Sequence, residues 1–231
     1  MKALVTGGGG FLGGAIVRAL LQRGHQVNSL QRGDYPELAQ LNVTVYKGDM
    51  TDVATVIDAS QGCDVIFHVA GKTGVWGDFQ DYVRTNVTGT QSVVDACIAN
   101  GIRKLVYTSS PSVVFDGHDE ENITESAPYP DRYFNHYQRT KATAEQLVLA
   151  ANNGNLATVA LRPHLIWGPG DPHLVGRIIS RAKSGKLRLV RGRQNLVDTT
   201  FIDNAVEAHL AAAERLDIHA ACSGKAYFIS N

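Results

Sequence analysis

Residues 6–13 read Thr-Gly-Gly-Gly-Gly-Phe-Leu-Gly, and no other stretch of the 231-residue chain narrows its possible folds as far. Gly7, Gly10 and Gly13 stand in the spacing GxxGxxG, with Phe11 and Leu12 before the third glycine. The cluster follows a short apolar run at 2–6 and opens an apolar-periodic helix predicted for 11–23. Glycine permits a tight turn and lets backbone approach a ligand closely. The helix N-terminus behind it offers unpaired N–H groups and the positive end of a dipole, which suits a pyrophosphate. Four glycines in an isolated loop would be a flexible turn; between a strand and a helix they point to dinucleotide binding.

The rest of the chain alternates in the same way. Strands are predicted at 26–30, 43–47, 63–69, 104–108, 157–162 and 225–229. Helices are predicted at 51–60, where Thr51-Asp52 offers an N-cap, and at 79–100, 135–153, 172–183 and 202–216. The run Cys-Asp-Val-Ile-Phe-His-Val at 63–69 is apolar enough for a parallel strand covered on both faces. Repeated strand–helix alternation predicts an α/β fold, a doubly wound parallel sheet of Rossmann type. No linker divides it, so residues 1–231 are expected to form one dinucleotide-binding domain.

Composition excludes several classes of function. Lys and Arg total 22 against 22 Asp and Glu, so no basic surplus marks nucleic acid as a partner. No apolar run approaches the ~18 residues of a membrane span, and no signal-peptide core precedes residue 3. Cys63, Cys97 and Cys222 are odd in number and widely spaced, which fits a reducing, cytoplasmic compartment rather than a disulfide framework. His68, His136, His164 and His173 show no paired ligand spacing, so no metal is expected. Trp76 and Trp167 flank the predicted site, with substrate wall and core packing both open as roles. The acidic stretch 116–125 reads most simply as a solvated loop.

Two further places carry chemistry. After the second strand an acidic residue would hold the adenosine ribose hydroxyls and repel a 2′-phosphate. Here stand Gln31, Arg32 and Gly33, with Asp34 arriving late. Arg32 offers a charged donor fork suited to phosphate, so NADP(H) is preferred and NAD(H) remains possible. Of the eight tyrosines only Tyr137 has a lysine four residues on, Lys141, and both lie on one face of the predicted helix 135–153. A phenol needs a nearby cation to exchange a proton at neutral pH, and Lys141 is placed to supply one and to reach cofactor ribose. A serine in the turn Thr108-Ser109-Ser110-Pro111-Ser112 would hold the substrate oxygen.

Together TGGGGFLG at 6–13, GDMTD at 48–52, FHVAG at 67–71, NVTGT at 86–90, YTSSPSVV at 107–114 and YQRTK at 137–141 resemble the extended short-chain dehydrogenase/reductases over essentially the whole chain. The resemblance implies Ser110, Tyr137 and Lys141 as catalytic triad. It implies that Gly7, Gly10, Phe11, Leu12 and Gly13 hold the cofactor diphosphate, with Arg32, Asp49 and Met50 around the adenosine. Ala70 would lie along the diphosphate–ribose region and Pro163 near the carboxamide. Within the family, dehydratases carry an Asp-Glu pair where this chain has Pro111-Ser112, which argues against dehydration. SPSVVFDG and the segment LRPHLIWGPGD at 161–171 depart from the epimerase patterns. The latter segment resembles the 3β-hydroxysteroid dehydrogenase and sterol-4-carboxylate dehydrogenase branch. GKTGVWGDF at 71–79, TSSPSVVF at 108–115 and NLVDTTFIDNA at 195–205 are similar to bacterial reductases of 2-alkyl-3-oxoalkanoic acids.

The activity so implied is NADP(H)-dependent interconversion of 3-oxo and 3-hydroxy groups on a long-chain or sterol-like apolar substrate. The alternatives are a nucleotide-sugar 4-epimerase and a non-catalytic, cofactor-sensing binding protein. The resemblance also implies a homodimer through the helices at 79–100 and 135–153. Enzymes of this kind usually run longer at the C-terminal side. Residues 163–200 are therefore expected to give only part of a small substrate lobe, in a chain that is truncated or naturally shortened.

Overall fold

The strands assemble because their apolar residues alternate between two helix-covered faces. In the computed structural model, which describes residues 1–172, 174–188 and 196–231, Ala3 and Val5 of β1 (Lys2–Thr6) pack towards one apolar cluster and Leu4 towards another. Helix α1 (Phe11–Gln22) and helix α8 (Ile202–Arg215) cover the first face. Helices α3 (Val53–Ala59), α5 (Gly89–Asn100) and α6 (His136–Ala150) cover the second.

Six further strands join β1: β2 (Gln26–Gln31), β3 (Val43–Lys47), β4 (Val65–His68), β5 (Lys104–Thr108), β6 (Ala157–Pro163) and β9 (Lys225–Ile229). Their order is β3-β2-β1-β4-β5-β6-β9, with every adjacent pair parallel. The fold is the expected Rossmann-like doubly wound sheet. The chain runs outward from β1 in one direction to β3, then crosses back to β4. Such a reversal leaves a crevice at the carboxyl ends of β1 and β4, where open α/β sheets bind ligands.

Local structure departs from the sequence reading in instructive places. The predicted helix 79–100 is three pieces in line: α4 (Phe79–Tyr82), a π-helical turn (Val83–Thr88) and α5. The π turn places Asn86 inside, where its Oδ1 accepts from the Lys72 N–H at 2.7 Å and its Nδ2 donates to Thr140 Oγ1 at 3.0 Å. The predicted helix 172–183 begins later, as α7 (Val175–Lys183), because the Asp171 carboxylate takes the N–H groups of Leu174 and Val175. Two-residue strands β7 (Ile166–Trp167) and β8 (Thr200–Phe201) form a separate parallel ladder, and a short helix α2 (Pro36–Ala39) follows β2. As expected, Asp52 caps α3, accepting from the Ala54 N–H. His173 and Asn195, both singled out in the sequence, lie outside the described residues.

The glycine loop is packed rather than slack. Gly7 has φ +72°, and a Cβ there would lie 3.1 Å from the Ala70 Cα. A Cβ on Gly13 would lie 2.2 Å from the Gly7 carbonyl oxygen, so only glycine lets α1 start against its own loop. Gly154, by contrast, has open space around it. We expect Gly13→Ala to destabilise by about 1–3 kcal/mol or more and Gly154→Ala to be near neutral, as read by urea denaturation. Equal midpoints would contradict this packing.

Candidate active site

The carboxyl ends of the central strands open onto one cleft of about 1650 Å³. That exceeds the ~300–1,000 Å³ of a drug-sized pocket and leaves room for a dinucleotide beside a second molecule. Every site residue named from the sequence lines it: Gly7, Gly10, Phe11, Leu12 and Gly13 from the loop, Arg32, Asp49, Met50 and Ala70 beside it, and Ser110, Tyr137, Lys141 and Pro163 at the other end.

A buried hydrogen-bond chain shapes the wall between the two ends. The Thr6 hydroxyl accepts from the backbone N–H groups of Val69 and Ala70, each at 3.1 Å, and lies 2.8 Å from His68 Nδ1. His68 Nε2 lies 2.9 Å from Thr90 Oγ1, whose own proton goes to the Asn86 carbonyl at 2.6 Å. Proton counting then leaves one solution: Nε2–H donates to Thr90, and Nδ1 accepts from Thr6. Burial pushes the His68 pKa down to about 3, with the Lys141 charge adding, so the ring stays neutral. Nothing in the spacing of His68 points to this role as the pin between the glycine loop and the π turn.

At the far end Asn135 caps α6 through its side chain, which accepts from the Gln138 N–H, and so sets the start of the helix that carries Tyr137 and Lys141. Tyr137 is half-buried and its pKa is raised by burial, while a hydrogen bond with Ser110 opposes the rise. Ser110 caps the 3-10 turn Pro111–Val114 and shares a 2.8 Å hydrogen bond with Ser112 Oγ. Lys141 Nζ donates to the Thr108 carbonyl at 2.6 Å and lies 4.2 Å from the Tyr107 ring centroid. Burial lowers its pKa to about 7, with Glu145 one turn on pulling the other way. Glu145 is already engaged: Arg162 Nη2 donates to it at 2.6 Å and the Tyr129 hydroxyl at 2.7 Å. The lysine is therefore a buried cation without a carboxylate of its own. In the ligand-free protein the hydrogen bond with Ser110 favours the ionised form of Tyr137.

The part of the cleft beside the glycine loop also has a legible charge pattern. Asp49 accepts from the Thr51 N–H at 3.0 Å and from Arg84 Nη2 at 2.9 Å. Burial raises its pKa, but these donors and the Arg84 and Arg32 charges hold it below the usual carboxylate value. Asp34 pairs with Lys47 at 2.8 Å. The loop fits a dinucleotide on its own geometry. A Cβ at Gly7 would press on Ala70, one at Gly10 would sit 3.2 Å from the Gly7 carbonyl, and the first turn of α1 faces the cleft.

The acidic stretch 116–125 is exposed throughout, as expected of a solvated loop, and its residues His118, Asp119, Glu120 and Glu121 also line the cleft. Trp76 is 89% exposed. Trp167 packs edge-on against Phe201 at 5.2 Å, a packing role. His164 lines the cleft, and its buried Nδ1 has no partner among the described residues.

The chain is similar to known proteins in sequence and in fold. The sequence pattern of the 3-beta hydroxysteroid dehydrogenase/isomerase family matches residues 4–231. A Shewanella oneidensis protein named 2-alkyl-3-oxoalkanoate reductase is 53% identical over 99% of this chain and 61% of its own length. A mouse (Mus musculus) protein named sterol-4-alpha-carboxylate 3-dehydrogenase, decarboxylating, is 40% identical over 100% of this chain and 64% of its own length. The chain thus spans less than two thirds of either relative. The structure of MoeE5 in complex with UDP-glucose and NAD is 27% identical and covers 100% of this chain and 76% of that one, with a TM-score of 0.85.

The buried lysine gives a pH test. Its folded pKa of about 7 lies below the ordinary 10.5, so it weakens the fold most below about pH 7, and the penalty fades as pH rises towards 10.5. In the ligand-free protein, Lys141→Met should raise Tm most at pH 6, with the gain shrinking steadily by pH 9. A gain independent of pH would show that Lys141 is not buried as a cation.

Proposed function

The chain belongs to the 3-beta hydroxysteroid dehydrogenase/isomerase family, and on that footing we propose an NADP(H)-dependent oxidoreductase that interconverts 3-oxo and 3-hydroxy groups on a long-chain 2-alkyl-3-oxoalkanoic acid. The observation that carries the reading is the meeting of Ser110, Tyr137 and Lys141 at one end of a cleft whose other end is the glycine loop. The 53% identity to a protein named for that substrate class favours it over sterols.

A bound nicotinamide dinucleotide supplies the hydride, or accepts it in the reverse direction. The protein's residues do the rest. Ser110 holds the substrate oxygen by its hydroxyl. Tyr137 gives its phenolic proton to that oxygen as the carbonyl becomes an alcohol, and takes it back in oxidation. Lys141, buried and short of a counter-charge, binds ribose hydroxyls and supplies positive potential beside the phenol. Leu165, Ile166, Leu174 and Val197 give the cleft an apolar side suited to an alkyl chain. Arg32 lines the cleft after β2 and Asp34 is occupied by Lys47, which supports NADP(H) over NAD(H). Residues 163–200, with β7 and α7, contribute to the substrate lobe. A homodimer would pair the α4–α5 and α6 helices of two chains; a sedimentation mass of one chain would rule it out. No described helix is long and apolar enough to cross a membrane, and the unpaired cysteines fit a cytoplasmic setting.

The second reading, a nucleotide-sugar 4-epimerase, draws on the likeness to MoeE5 bound to UDP-glucose and NAD. Consumption of NADPH with a long-chain 2-alkyl-3-oxo acid, beside conversion of UDP-glucose, separates the two. We expect the oxo acid to be reduced, with NADPH preferred over NADH by kcat/KM. Tyr137→Phe should lower kcat by about 10²–10⁴-fold with cofactor affinity retained. Turnover of UDP-glucose alone, or full activity in Tyr137→Phe, would overturn the assignment.

A further inference from the structure

Gly9 is a position that the GxxGxxG spacing leaves free, yet the structure leaves no room for a side chain there. A Cβ on Gly9 would lie 2.1 Å from Cδ2, 2.3 Å from Cγ and 2.4 Å from Cε2 of Tyr35. Three ring carbons at nearly equal distance mean that the Tyr35 ring lies face-on over Gly9. A Cβ on Gly33 would lie 3.1 Å from Tyr35 Cε2 and 3.4 Å from the hydroxyl oxygen. The ring thus packs against both the glycine loop and the turn after β2, and it lines the cleft together with Arg32. It remains 37% exposed, and its hydroxyl has no hydrogen-bond partner among the described residues. The Arg32 guanidinium likewise makes no hydrogen bond or ion pair there, and only the more distant field of Arg32 reaches Asp49 and Asp81.

A planar cation and a free phenol beside a glycine-lined helix N-terminus form a receptor for a compact dianion. The guanidinium supplies a fork of donors, the phenol a further O–H, and the ring fixes that donor at little entropic cost because packing already holds it. We propose that Tyr35 is a specificity-determining residue, seated on Gly9 so that its hydroxyl and Arg32 together grip the 2′-phosphate of NADP(H). The inference rests on the NADP(H) reading above and adds a second residue to it. It also explains why residue 9 is glycine: an alanine there expels the ring.

Direct binding tests this without turnover. Dissociation constants for adenosine 2′,5′-bisphosphate and for AMP are measured by isothermal titration calorimetry on the wild-type protein and on Tyr35→Phe, Gly9→Ala and Arg32→Ala. The wild type should prefer the bisphosphate. Tyr35→Phe should lower that preference about tenfold, the size of one lost charge-assisted hydrogen bond, and Gly9→Ala should lower it to a similar extent with Tyr35 still present. Retained AMP binding in each variant shows that the adenosine site is folded. A wild-type preference in Tyr35→Phe or Gly9→Ala, beside a collapsed one in Arg32→Ala, overturns the role of Tyr35 and leaves the NADP(H) reading standing. Equal affinity of the wild type for both nucleotides overturns both.

Discussion

The Thr6 hydroxyl holds the site together. It ends β1, accepts the N–H groups that follow β4, and gives its proton to His68. Those contacts fasten the two strands at the point where the sheet order reverses, so the crevice there has a fixed width. The same contacts set Ala70 against Gly7, which is why the loop needs a residue free of a Cβ at φ +72°. From His68 the chain of bonds continues through Thr90 and Asn86 to Lys72 and Thr140, reaching helix α6 where Tyr137 and Lys141 stand. A histidine held neutral by burial keeps the direction of those bonds constant across the physiological pH range. The glycine-loop end and the Tyr137–Lys141 end of the cleft are thereby parts of one buried network.

The second half of the site is organised by an unmet charge. Lys141 is buried at 5% exposure, and its nearest carboxylate belongs to Arg162 and Tyr129. What remains for the ammonium is a carbonyl, Thr108, and the face of Tyr107. Thr108 is itself fixed: its hydroxyl donates to His209 Nε2, because His209 Nδ1 donates to the Ala205 carbonyl. An ammonium so placed is poorly compensated in the free protein and well placed for new acceptors. The ribose hydroxyls we propose for it are such acceptors.

Much of this was legible in the sequence, for a physical reason. The strand–glycine–helix junction and the Tyr137–Lys141 spacing are local patterns, and local patterns survive without knowledge of the fold. What escaped notice depends on distant partners. The π turn differs from an α-helix by a single extra residue per turn, and only the contacts of Asn86 with Lys72 and Thr140 select it. The later start of α7 follows from one carboxylate, Asp171. His68, Glu145 and Arg162 look like ordinary core and surface residues until the sheet brings them together. Tyr35 carries no motif at all; the one trace of it in the sequence is an extra glycine at position 9. The acidic loop is solvated as its charge run implies, but nothing local says that it faces the cleft.

Isotope transfer examines the chemistry at its centre. NADPH carrying deuterium at the transferring C4 position, supplied with a long-chain 2-alkyl-3-oxo acid, should yield a 3-hydroxy acid with deuterium at C3 and a matching loss of reduced cofactor. Unlabelled product, or label exchanged into a nucleotide sugar with no net consumption of cofactor, would contradict the assignment of this cleft to 3-oxo reduction.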